Sequence, residues 1–203
     1  MVVVRNGKIA VNKGYGTLDY RDESAEVTPQ TVYDVASLTK ILGTVSALLV
    51  ADRLGWFRPE DRMDALVPEL KNTPLGAASA AEVLTHQAGL PAGWPFDQNV
   101  LLNGAPDPYW LSPVRTKDHT LQATDSLWVR NTWPDTAVAR IARIPLGPKT
   151  YLYSDLGYYL FQRFLERKSG VPLQQFVREQ VWEPAGIESL VYGPLLGTSK
   201  DFR

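Results

Sequence analysis

The chain has 203 residues, 21 Lys and Arg against 22 Asp and Glu, a net charge of −1 and no cysteine. That balance excludes the electrostatic footprint of a nucleic-acid or anionic-membrane binder, and the missing thiols exclude disulfides, thiolate metal sites and cysteine nucleophiles. With 44% hydrophobic and 10% aromatic residues the chain is globular rather than disordered and long enough for one sizeable core.

In chain order, MVVVRNGKIAVNKGYG holds two β-rich runs around Asn6-Gly7, a dipeptide suited to a type I′ turn, and predicts a hairpin within 1–20. The start MVVVRNGK lacks the regions of a signal peptide, and no apolar run reaches the about 18 residues a bilayer span needs. RDESAEVTPQT is a polar connection. From Ala36 to about Leu54 apolar residues spread round most of the helical circumference, which predicts a helix buried on nearly every side and stopped by Gly55. SAAEVLTHQAGLP predicts a short helix with Ser79 as cap and Gly89 at its end. Residues 91–150 are rich in Pro and Trp, with little periodicity beyond a helix near 134–143, and read as an irregular, lid-like segment. Helices return at 155–168 and about 172–182.

The chemistry gathers at VYDVASLTKILGT, where Ser37 and Lys40 stand three residues apart at the mouth of the apolar segment. On a helix they share a face, with Cβ atoms about 5–6 Å apart. Burial disfavours the charged amine, and a neutral amine beside a hydroxyl is a general base beside a nucleophile. The same pattern alone also describes a capping serine and a lysine reaching for solvent.

Context extends the pattern. The Ser-x-x-Lys string, the hairpin before it, LTHQAGLP after it and Tyr153-Ser154-Asp155 further on together resemble the serine β-lactamase, penicillin-binding protein and esterase superfamily, closest to its class C-like branch. RNTWPDTAVARIARIPL, DLGYYLFQRFLE and IESLVYGPL resemble a subgroup often fused to glycoside hydrolases. The resemblance implies an α+β, β-lactamase/transpeptidase-like fold, with 1–203 a single-domain fragment: hairpin within 1–20, mainly helical region over 32–203, sheet incomplete. It implies Ser37 as acylated nucleophile, Lys40 as base, Tyr153 as proton relay and Asp155 as a substrate-binding residue. The implied substrates are esters, amides or D-amino-acid peptides, with no cofactor, and a periplasmic or extracytoplasmic location is favoured. Asp155 stands where the branch has Asn, so it lacks amide donors and is able to salt-bridge Lys40, keeping the lysine charged.

The family's third element, K-T-G or H-x-G on a strand, is missing. Lys168-Ser169-Gly170 matches in letters but ends an amphipathic helix, and Lys149-Thr150 lacks the glycine. The chain stops at SKDFR without the family's closing strands, so a further segment or a second chain is expected to complete the sheet.

Competing chemistries find little support. A Ser–His–Asp hydrolase with G-x-S-x-G is absent, and neither H-E-x-x-H nor a cluster of His/Asp ligands occurs. His86 reads as a hydrogen-bonded structural residue and His119 as a loop residue without a partner. Trp94, Trp110, Trp128 and Trp133 suit either a pocket or packing. The alternative function is a non-catalytic, degenerate module carried beside another enzyme.

Overall fold

The computed structural model describes residues 1–96 and 98–192. They divide into one unit within 1–36 and one within 37–199. The C-terminal SKDFR and the end of IESLVYGPL lie outside the described residues.

In the first unit, β1 (Val2–Arg5) and β2 (Lys8–Asn12) pair antiparallel, with Val3 opposite Val11 and Arg5 opposite Lys8. Asn6 and Gly7 both take positive φ, 50° and 71°, as a type I′ turn requires. Val2, Val4 and Ile9 are at least 59% exposed and Val3 is 40% exposed, so among the described residues the apolar side chains of the hairpin are left largely uncovered.

The second unit carries the core. After a 3-10 turn (Ala36–Leu38) and a π-helical turn (Lys40–Val45), α1 (Ser46–Arg53) buries Ala47, Leu48, Val50 and Ala51. Short helices α2 (Met63–Leu66) and α3 (Ala80–Leu84) follow. α4 (Trp133–Ile141), α5 (Leu156–Ser169) and α6 (Leu173–Val177), the last running into a π turn (Arg178–Trp182), complete the helical part. Phe161 and Phe164 of α5 are the largest fully buried side chains and both pack on Phe57. The indole N–H of Trp182 donates to the carbonyl of Leu42 at 3.1 Å and fixes the π turn that follows Lys40.

Two expectations need correction. The segment from Ala36 is not buried all round: Leu38, Ile41, Leu49 and Leu54 are 47–67% exposed. Apolar residues on every side signal a helix meant to be enclosed, but the described elements enclose only part of its circumference. Nor is 91–150 wholly irregular. It contains the β3–β4 pair (Leu101–Leu102 and Ala105–Pro106) and a three-stranded antiparallel sheet of β5 (Leu111–Ser112), β6 (His119–Thr124) and β7 (Leu127–Arg130), in the order β5-β7-β6. These strands are too short and too broken by bulges to show a clean alternation in the sequence.

Ser79 makes the full capping box with Glu82: Ser79 Oγ accepts from the Glu82 N–H at 3.1 Å and the Glu82 carboxylate accepts from the Ser79 N–H at 2.8 Å. Ser79→Ala is expected to cost about 1 kcal/mol of unfolding free energy in urea denaturation. A loss indistinguishable from zero would show that α3 does not depend on this cap.

Candidate active site

Ser37 and Lys40 sit on consecutive irregular turns, 3-10 then π, rather than on one regular α-helix. The spacing still puts them together. Lys40 Nζ donates to Ser37 Oγ at 3.1 Å and lies 2.5 Å from Asp155 Oδ1. It also bonds the phenol of Tyr153 and stands 5.0 Å from that ring's centre and 5.6 Å from the ring of Tyr158. The lysine side chain is only 15% exposed, so it does not reach for solvent.

Nζ thus stands among the Ser37 hydroxyl, the Asp155 carboxylate and the Tyr153 ring. Burial is the largest single influence and pulls Lys40 down, but hydrogen bonds to the Asp155 carboxylate and the Tyr153 phenol, with their charges, together outweigh it, and its pKa is raised above the ordinary lysine value. These contacts favour the ammonium form of Lys40 over the expected neutral amine. The salt bridge from Asp155 to Lys40 that the sequence allows is formed and opposes the effect of burial. The phenol responds in the opposite sense. Hydrogen bonding to Lys40, then to Ser37, lowers the Tyr153 pKa from its usual 10, favouring phenolate at the serine hydroxyl.

The second half of the site is built by α5 and the strand-like run before it. Ser154, buried, accepts the Leu156 N–H at 3.2 Å and donates to the Pro91 carbonyl at 2.7 Å. Ser154 thereby serves the helix start, which leaves the Asp155 carboxylate free to face Lys40. A Cβ on Gly157 would run into Val83, so only glycine lets α5 lie this close to α3. That approach brings the loop after α3 alongside 152–155, with Asp155 N–H donating to the Ala92 carbonyl at 3.1 Å and Leu152 N–H to that of His86 at 2.9 Å.

The sequence reading passed over Tyr158, whose N–H bonds the Asp155 carbonyl one turn back. Its position three residues after Asp155 was the available signal, since i and i+3 share a helix face. His119 is not a partnerless loop residue: it is buried, with Nε2 donating to the Tyr109 carbonyl at 3.2 Å and Nδ1 accepting from Thr116 at 3.0 Å in the neutral ring. It takes no part in the site. Trp110 and Trp133 pack edge to face at 5.0 Å, and Trp94 is 39% exposed. Lys168-Ser169-Gly170 closes α5, with Gly170 left-handed at φ 74°, as a helix cap and not a strand. Among the described residues no group of His, Asp and Glu is arranged to hold a metal ion, and no helix is long and apolar enough to cross a membrane.

A model of the family described as Beta-lactamase matches residues 1–197. The chain belongs to the beta-lactamase family. Its similar relatives include the N-acetylmuramyl-L-alanine amidase of Bacillus subtilis (strain 168), 25% identical over 96% of this chain and 42% of the relative. The putative D-alanyl-D-alanine carboxypeptidase of Escherichia coli (strain K12) is 26% identical over 97% of this chain and 43% of the relative. Among solved structures, a class C beta lactamase from Rhodobacter sphaeroides superposes with a TM-score of 0.63 at 19% identity, covering 93% of this chain and 44% of its own. The octameric penicillin-binding protein homologue of Pyrococcus abyssi gives 0.63 at 21% identity, over 93% of this chain and 39% of its own. The fold is thus α+β and β-lactamase/transpeptidase-like. The chain spans less than half the length of the relatives it matches.

Proposed function

We propose that this chain carries the nucleophile half of a serine hydrolase that works through an acyl-enzyme at Ser37. The observation that carries the reading is the 3.1 Å approach of Lys40 Nζ to Ser37 Oγ, with the Tyr153 phenol on the same two groups. In the proposed sequence Ser37 Oγ attacks the substrate carbonyl carbon while its proton passes to the Tyr153 phenolate. Collapse of the tetrahedral adduct expels an alcohol or amine, which takes that proton from Tyr153. Water then cleaves the acyl–Ser37 ester and regenerates the hydroxyl. Lys40 acts as a base only after losing a proton, which Asp155 and the phenol oppose. In the charged state it holds the phenolate and aims the serine oxygen, and Tyr153 takes the base role.

The substrates are esters, amides or D-amino-acid peptides. The activities for which the carboxypeptidase and amidase relatives are named support the last two, and Asp155 at the site's edge is the proposed substrate-binding carboxylate. Turnover would further need the strand that supplies the family's third motif. We place it in an additional segment or a second chain, because the hairpin's apolar side chains and the Leu38, Ile41 and Leu49 stripe are left largely uncovered among the described residues.

The test is a fluorescent fluorophosphonate followed by intact mass and peptide mapping: Ser37 Oγ displaces fluoride at phosphorus. The expected result is a single adduct on the peptide containing Ser37, with little turnover of a D-alanyl-D-alanine peptide by this chain alone. A second reading, a binding module without catalysis, draws on the ion pair by which Asp155 keeps Lys40 charged. An unlabelled Ser37 would decide for it.

A further inference from the structure

His86 is tied to the segment around Tyr153 in three ways. Its ring lies against that of Tyr153 with centres 4.5 Å apart and an interplanar angle of 41°. Its Nδ1 accepts the backbone N–H of Ser154 at 3.1 Å, and its own carbonyl accepts the N–H of Leu152 at 2.9 Å. The residues on both sides of Tyr153, Leu152 and Ser154, are thus each hydrogen-bonded through their N–H to one histidine. His86 also holds a left-handed backbone at φ 60°, a conformation that side chains other than Asn, Asp and His rarely take, so the surrounding bonds over-determine it.

An imidazole accepts at Nδ1 only when that nitrogen bears no proton, so this hydrogen bond exists in the neutral ring with its hydrogen on Nε2. A second proton would set an N–H donor against the Ser154 N–H. We propose that His86 is a positioning residue: its neutral ring holds the Tyr153 phenol against Ser37 and Lys40, and protonation of Nδ1 releases the Tyr153 segment and turns the site down.

The groups facing the ring are Tyr151 at 6.1 Å, Tyr153, Tyr158 at 5.8 Å, the Lys40 ammonium and the Asp155 carboxylate. Burial, then the charge of Lys40, lower the His86 pKa, against a smaller opposing effect of Asp155. The neutral form is therefore the folded protein's resting form at neutral pH. Because the folded value lies below the unfolded one, the unfolded chain binds more protons, and the stabilisation this residue provides is present above the unfolded value and lost as pH falls through the folded one.

The proposal rests on the acyl-enzyme reading only for its rate readout, so the experiment has two arms. In the first, side-chain 15N resonances of the two histidines are followed from pH 8 to 4 in the wild-type chain, with His86→Phe removing one set for assignment. The expected result is an Nε2–H tautomer for His86, a midpoint below the ordinary histidine value of about 6.5, and Ser154 amide and Tyr153 ring signals moving with that midpoint. An Nδ1–H tautomer, or Ser154 and Tyr153 signals that ignore the titration, would overturn it.

In the second arm the fluorophosphonate labelling rate of Ser37 is measured over the same range. The logarithm of the rate is expected to fall with unit slope as the phenol protonates and to steepen below the His86 midpoint. In His86→Phe, which keeps a ring but no acceptor, the rate at pH 8 is expected to drop by about tenfold to a hundredfold, and the steeper limb to vanish. A merely structural residue would leave the slope change in place, and that outcome counts against the proposal. Correct coupling in the first arm with no labelling at any pH would uphold His86 as the holder of Tyr153 and defeat the hydrolase reading alone.

Discussion

Lys40→Met is expected to cut the rate of Ser37 phosphonylation by about a thousandfold while leaving the chain folded. Removing a member of a nucleophile–base constellation costs on the order of 10³ or more, because its parts act as a unit. Here the loss comes from the phenol. The hydrogen bond from Lys40 is the largest influence that lowers the Tyr153 pKa, so without it the tyrosine returns toward a weakly ionised phenol and the serine proton has no acceptor. Methionine keeps the unbranched shape against Tyr153 and Tyr158, so circular dichroism and unfolding midpoint should stay close to wild type. Asp155→Asn is the informative contrast. It removes an anion that raises Lys40 and, through its charge, also raises Tyr153. Both groups should lose their protons at lower pH, and the acid limb of labelling should move to lower pH, whether the serine proton goes to the phenolate or to the amine. An unmoved limb would mean that neither group governs the reaction.

Phe161→Ala is expected to destabilise the chain by about 3–5 kcal/mol. The ring is fully buried, edge-on to Phe57 at 6.2 Å and against Tyr158 at 6.3 Å, in the middle of the contact between α5 and the rest of the core. The deletion removes the transfer free energy of the ring and leaves a cavity that close packing does not refill. Measured as a drop in urea midpoint at constant slope, such a loss takes a third or more of the stability of an ordinary domain. Tyr158 rests on this ring and faces Lys40, so the variant should also label more slowly under conditions where it remains folded. A midpoint shift under 1 kcal/mol would mean that the α5 core is not packed as described.

The ion pair of Lys40 with Asp155 separates this site from a pattern with Asn at that place. An amide there offers donors, whereas the carboxylate fixes the proton on Lys40 and leaves the phenol as the group whose proton affinity is tuned. Asp155 is half exposed, so under the proposed substrate-binding role a cationic group of a substrate would compete with Lys40 for the carboxylate. In that event the lysine would lose the interaction that keeps it protonated.

Residue identity at short range determined much of this protein. The Asn6-Gly7 turn, the Ser79 cap, the stop of α5 at Gly170 and the pairing of Ser37 with Lys40 all follow from φ preferences, orphaned helix donors and the i, i+3 spacing, none of which needs the rest of the molecule. Tertiary structure decided what depends on distances between remote segments. The charge on Lys40 was set by a carboxylate 115 positions away in the chain, which no local pattern measures. The bond between His86 and Ser154 exists because Gly157 lets α5 approach α3. The uncovered apolar side chains of the hairpin and of the helix after Lys40 likewise reflect which neighbours are present, since apolar periodicity reports the wish to be buried and not the partner that does it.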